Sequence, residues 1–245
     1  MTAAIMLTLI LNGQQPFIAH PITADTAAGG WQQIAVPVRD VFEAAGFTVR
    51  YRAWGDRTVD ISGYEGEADE RRLVQYGTLY LDRPEARCQE YLATLPSALE
   101  SIDGALYAPA IVLRIIGGGD LVADLDAGTL RWDLQQGAPP ALAMGELMAD
   151  LPRWLHCRVH VEGTATGPGG EPRRPATSIG PPAPGAWAVA DETGAIFCTD
   201  VYVAGGLFRA QDLGFEPGQR VAVEGVVRTG WGGLPYLSQA KATPL

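Results

Sequence analysis

From Ile34 to Tyr51 the chain reads IAVPVRDVFEAAGFTVRY, and its apolar positions change period twice. The first residues are apolar and strand-like. After Pro37, Val38, Val41, Phe42 and Ala45 fall at i, i+3, i+4 and i+7, which is one face of a short helix. Pro37 suits a first-turn position, where its missing N–H costs nothing. Gly46 suits the position just past the helix end, where positive φ is cheap. FTVRYRAW and RTVDIS then alternate as two strands around Gly55-Asp56. Upstream, LTLILNGQQPFIA predicts a strand, an Asn12-Gly13 turn and a further strand.

The same order recurs 72 residues later. LYAPAIVLRIIGGGDLVADLDAGTLRWDL stands where IAVPVRDVFEAAGFTVRYRAWGDRTVDIS stood, with Pro109 for Pro37 and Gly118 for Gly46. Arg39, Asp40 and Glu43 invite a catalytic reading in the first copy. In the second, Ile111 replaces Arg39 and Ile115 replaces Glu43. A site that needed those residues in both copies would be lost, so the repeat points to packing rather than catalysis.

From residue 139 the pattern changes. PPALAMGELMADLPRWL predicts a linker helix over 139–155. From His156 onward, five strands are expected: HCRVHVEGTATG, a hairpin around DETG, and two more strands in QRVAVEGVVRTGWGGLPYLSQAKAT. A long Pro- and Gly-rich loop, GPGGEPRRPATSIGPPAPG, interrupts them, as does AGGLFRAQDLGFEPG, a connection with room for a helical turn.

The ordered set V-P-V-R, a short helix ending in Gly, and a hairpin ending in T-V-D-I resembles the copper amine oxidase N-terminal-like domain, with ILNGQQP as its leading hairpin. The resemblance is clear over 1–78 and degenerate over 79–138. It implies a duplicated α+β unit, antiparallel strands curling around short helices, used as a stalk or binding module. It does not imply amine oxidase activity, which requires three His copper ligands and a tyrosine-derived quinone. The only histidines are His20, His156 and His160. Residues 156–245, with V-x-V-E-G, D-E-T-G and G-G-L-P-Y, resemble small bacterial OB-fold domains. That resemblance implies an all-β barrel whose second and third strands, framed by two loops, bind oligonucleotides or oligosaccharides. It singles out Trp187 and Phe197 as stacking platforms, Arg173 and Arg174 in one framing loop, and Trp231 and Tyr236 at one edge. Aromatic residues also fill barrel cores, which is the competing reading of the same rings.

Charge narrows the partners. Residues 1–150 carry 10 Arg against 20 Asp plus Glu, whereas 151–245 balance at 8 and 8. An acidic front half disfavours nucleic acid there, and a neutral barrel disfavours strong nonspecific binding. A glycan, an envelope component or a protein is the favoured partner.

Other chemistry is sparse. Cys88, Cys157 and Cys198 are too far apart for a disulfide framework or a C-x-x-C site, and they suit small buried positions. His156 and His160 on a strand would lie about 13 Å apart, too far for one metal. Glu65, Glu67, Asp69 and Glu70 form an acidic run that reads as a solvated connection. No P-loop, G-x-S-x-G or H-E-x-x-H occurs, so no cofactor and no catalytic set is expected.

The N-terminal MTAAIMLTLIL lacks a basic region and is too short to span a bilayer. The expected location is therefore the envelope or the exterior if an export signal exists, and the cytoplasm otherwise. The expectation for the whole is a non-catalytic bacterial binding or scaffold protein, surface-associated, with the barrel as ligand module. The alternative is a cytoplasmic accessory protein that binds single-stranded nucleic acid through the barrel.

Overall fold

A computed structural model describes residues 4–25, 34–65, 71–135, 138–166, 186–199, 214–230 and 233–245. Strand dominates. The chain divides into two compact units, Met1–Gln135 and Gln136–Leu245.

The first unit begins with β1 (Ala4–Leu11), β2 (Ile22–Asp25), β3 (Ile34–Pro37) and α1 (Val38–Ala44). It continues through β4 (Thr48–Arg52), β5 (Thr58–Glu65), β6 (Arg72–Tyr80), β7 (Glu85–Cys88), β8 (Tyr91–Thr94), β9 (Glu100–Ile102) and β10 (Ala105–Pro109). It ends with α2 (Ile111–Gly117), β11 (Asp120–Asp124) and β12 (Thr129–Asp133). Both expected helices are present, and Gly46 and Gly118 end them with φ of 85° and 70°. Each helix follows a Pro-ending strand and precedes a hairpin.

The two expected copies do not form separate bodies. Seven strands make one sheet in the order β11-β12-β1-β2-β3-β10-β9, which draws on both halves of the unit. Toward one edge β3 and β10 run antiparallel with Val36 opposite Ala108. The remaining strands form a five-stranded antiparallel meander, β4-β5-β6-β7-β8.

The Asn12-Gly13 turn forms, with both residues at positive φ. The hairpin predicted around it does not. Only Leu11 and Gln14 make a bridge, and β1 pairs instead with β2 and, in parallel, with β12. The reason is competition for an edge. Asn12 N–H donates to the Trp132 carbonyl at 3.1 Å, and Asn12 Oδ1 accepts from Leu134 N–H at 2.8 Å. The end of β1 is already satisfied by β12.

An aromatic cluster ties the elements together. Phe42 of α1 meets Trp132 of β12 edge to face at 5.6 Å. Phe47 stacks on Trp132 at 6.2 Å and meets Tyr76 of β6 edge to face at 5.1 Å. Tyr76 reaches the cluster because it is the extra residue of a bulge: Ile61 pairs with Gly77, and Ser62 with Gln75. Trp132 is fully buried, and its Nε1 donates to the Gly118 carbonyl at 2.9 Å. Gly117 lies against the same ring so closely that a Cβ there would collide with it.

The second unit opens with β13 (Ala141–Leu142), α3 (Met144–Ala149) and α4 (Leu151–Trp154). Five strands follow: β14 (Arg158–Ala165), β15 (Trp187–Ala190), β16 (Ala195–Thr199), β17 (Arg220–Thr229) and β18 (Pro235–Pro244). Their order is β14-β15-β16-β18-β17, and β17 pairs back onto β14, which closes a five-stranded barrel. All neighbours are antiparallel except β16 and β18, which run parallel. Val159, Val161, Val189, Ile196, Cys198, Val223, Val227 and Leu237 fill its interior. Cys88 and Cys157 are also buried.

The 139–155 segment is built into this unit rather than standing free. β13 pairs with β14, and the first turn of α3 is capped from across the fold. Its N-cap residue, Ala143, has no side-chain acceptor, so the DETG turn between β15 and β16 supplies one. Asp191 accepts from Met144 N–H at 2.9 Å, and Thr193 Oγ1 accepts from Gly145 N–H at 2.8 Å. Asp191 also accepts from the Thr193 hydroxyl at 2.6 Å, from Thr193 N–H at 2.7 Å and from Gly194 N–H at 2.8 Å. Partial burial pushes the Asp191 carboxyl up, but these donors outweigh it and hold the carboxyl below its ordinary range.

Two outcomes follow from this packing. Trp132→Ala should cost about 3–5 kcal/mol, read as a lower urea midpoint, and a loss under about 1 kcal/mol would contradict the role given to the ring. Asp191 has a depressed folded-state pKa, so its stabilisation is present above the unfolded carboxylate pKa and is lost as pH falls through the folded value. Asp191→Ala should therefore lower stability at pH 7 by about 1 kcal/mol and flatten the decline of stability below about pH 4. An unchanged acid limb in the variant would count against the clasp.

Candidate functional site

The first unit holds a cleft of about 360 Å³ between the start of α1 and the β9–β10 hairpin. Its polar walls come from His20, Arg39, Asp40, Tyr51, Arg57 and Ser101. Its apolar floor comes from Val38, Val49, Val59, Leu81 and Leu106. The placement follows from helix periodicity. Val38, Val41 and Phe42 turn inward and are buried, which leaves Arg39 and Asp40 on the side that lines the cleft.

Hydrogen bonds fix the walls. Asp40 Oδ2 accepts from His20 N–H at 2.8 Å and lies 3.0 Å from His20 Nδ1. Tyr107 of β10 donates its hydroxyl to the Pro21 carbonyl at 3.1 Å, which anchors the loop that carries His20. Burial pushes the Tyr107 phenol up, and the Asp40 and Asp103 carboxylates add to the rise, so the hydroxyl keeps its proton and remains a donor.

The two arginines are held loosely. Arg39 reaches Glu43 at 3.4 Å and Arg57 reaches Asp82 at 3.3 Å, with side chains 61% and 53% exposed. Exposed pairs of this kind are weak and screened by solvent, so both cations are available to an incoming anion. The Tyr51 hydroxyl and the Asp82 carboxylate hold the Arg57 guanidinium above its ordinary pKa.

A second groove, of about 310 Å³, lies on the meander and is lined by Gln75, Thr78, Tyr80, Arg87, Gln89 and Glu90. Its charges are internally matched. Arg87 donates to the Gln89 carbonyl at 2.8 Å and to Glu90 at 2.7 Å. Nearby, the buried Asp60 carboxylate accepts from Gln75 and Thr78 and pairs with Arg52. This is a structural polar network, with less to offer a ligand than the first cleft.

The residues singled out on the barrel fare differently. Trp187 is buried, on the same side as Cys198 and Leu237, and its ring packs on Phe215 at 4.7 Å. Phe197 is buried with Ala186 and Ala188, and Tyr236 packs half-buried against them. Neither Trp187 nor Phe197 offers an open ring face for stacking. Arg173, Arg174 and Trp231 lie outside the described residues, as do Glu67, Asp69 and Glu70 of the acidic run. His156 contacts the buried Arg228, while His160 lies 3.7 Å from both Glu162 and Glu224. Among the described residues no group of three His, Cys, Asp or Glu side chains is placed to hold a metal, and no helix is long and apolar enough to cross a membrane.

Arg39 and Asp40 carried a visible signal, two polar residues on an amphipathic helix. Ser101 carried none, because only the pairing of β3 with β10 brings the β9–β10 hairpin beside α1, and Tyr51 and Arg57 read only as residues of the β4–β5 hairpin. Comparisons with protein-family models, with curated proteins and with solved structures each gave no match.

Proposed function

We propose that this chain is a non-catalytic binding protein whose first unit holds a small ligand with a negatively charged group. The observation that carries the reading is the convergence of Arg39, Arg57 and His20 on one cleft with an apolar floor. A few placed polar groups over apolar walls is the usual make-up of a small-ligand site. Arg supplies planar, two-pronged hydrogen bonding to a carboxylate or phosphate.

The reading includes a duplicated unit of the copper amine oxidase N-terminal-like kind. The pairing of Val36 with Ala108 supports it, because their separation in sequence equals the repeat offset of 72. Equivalent strands then meet about a local two-fold. The cleft forms where the helix of one copy faces the hairpin of the other. At the equivalent positions of the second copy, Ile111 and Val112 replace Arg39 and Asp40, and Val112 is buried. The second copy thus turned its share into core while the first kept a polar opening.

The reading also includes an OB-like second unit. Closure in the order first, second, third, fifth, fourth supports it, as do the two long connections at 166–186 and 200–219. The first of these carries Arg173 and Arg174, and the turn between β17 and β18 carries Trp231. An envelope- or surface-associated role suits such a two-unit binding protein.

The test is calorimetric titration of the full chain with inorganic phosphate, benzoate and D-glucuronate. At least one should bind, and the Arg39→Ala/Arg57→Ala double variant should weaken it about 10- to 100-fold, the scale of charge-assisted hydrogen bonds. The variant should keep its thermal midpoint within a few degrees, because both side chains are exposed. Failure of all three anions to bind, or unchanged binding in the variant, would remove the proposal.

A further inference from the structure

The cleft of the first unit has more hydrogen-bonding capacity than a bare anion uses. Both His20 contacts fall on Asp40 Oδ2, and Oδ1 takes no hydrogen bond among the described residues. A carboxylate offers about four acceptor sites, so Asp40 can still accept from ligand hydroxyls. Ser101 adds a donor and acceptor in the same cleft. A carboxylate beside the two arginines also disfavours a dianion such as phosphate, and favours a ligand with one negative charge and several hydroxyls.

A second observation concerns the β4–β5 turn. The β4–β5 turn carries Trp54, which is 93% exposed. It stands three residues from Tyr51 and three from Arg57, both of which line the cleft. Three residues span at most about 11 Å, which bounds the distance of its Cα from each of theirs. Tyr51 is itself 47% exposed. Tyr51 lines the opening and Trp54 stands almost wholly in water on the same hairpin, and exposed aromatic planes suit a ligand with an apolar face and a polar rim.

We propose that the cleft recognises an acidic saccharide of the hexuronate type, with its carboxylate on Arg39 and Arg57, its hydroxyls on Asp40 and Ser101, and a ring face against Trp54. This rests on the anion-binding reading of the same cleft and names its ligand class. The barrel plays no part in it.

The test uses the full chain and calorimetric titration with D-glucuronate, D-glucose, benzoate and inorganic phosphate, on wild type, Trp54→Ala, Trp54→Phe and Arg57→Ala. The expected result is glucuronate binding at least tenfold tighter than any of the others. Trp54→Ala should weaken glucuronate at least fivefold, Trp54→Phe should stay within twofold of wild type, and Arg57→Ala should weaken it at least tenfold. Binding of benzoate or phosphate as tight as glucuronate, or no response to Trp54→Ala, would overturn the saccharide assignment while leaving the anion site standing. Glucose binding as tightly as glucuronate would overturn it as well. Absence of binding by every anion would remove both readings together.

Discussion

The contact between Phe42 and Trp132 is the constraint on which the first unit depends. One ring belongs to the first helix and the other to the last strand, so their packing joins residues 90 apart in sequence. Phe47 and Tyr76 complete the cluster and bring in the meander. Trp132 also has its polar edge satisfied, through Gly118, so the ring is fixed by direction as well as by burial. Space for it exists only because Gly117 lacks a side chain. Sequence-distant parts of the first unit thereby acquire one core, and neither of its short helices would be stable without it.

The cleft is a consequence of that core. Phe42 pins α1 by its apolar face, and a seven-residue helix pinned on one side must present Arg39 and Asp40 on the other. The antiparallel pairing of β3 and β10 then sets the β9–β10 hairpin opposite. Tyr107 links the same strand to the loop that carries His20. Rigid packing below and loosely held charges above is a sound arrangement for binding. The floor is preorganised, and the arginines can exchange weak internal partners for a ligand. In the second unit the same logic is used for stability instead. One hydrogen bond to Asp191 and one to Thr193 satisfy an orphaned helix end, which ties α3 to the barrel.

Local periodicity was enough to recover both first-unit helices, their Pro and Gly boundaries, and the five strands of the second unit. It failed where two partners compete for one edge. The Asn12-Gly13 turn has the conformation its residues demand, yet β12 holds the position a hairpin partner would take. It also could not show what stands opposite the polar face of α1. The loss of Arg39 and Glu43 from the second copy looked like evidence for packing alone. The structure puts Arg39 and Asp40 on the wall of a cleft that is completed by residues more than 60 positions away. Trp187 and Phe197 illustrate the opposite limit. An aromatic residue on an alternating strand fits either face of a barrel, and only the register shows that Trp187 shares a side with Cys198 and Leu237.

The central claim is that the ligand site lies in the first unit, at the meeting of α1 and the β9–β10 hairpin. Amide chemical-shift mapping of the full chain during titration with D-glucuronate tests it most directly. The account predicts perturbations concentrated at residues 38–40, 51–57 and 101–106. Perturbations confined to the strands and turns of the barrel would contradict it.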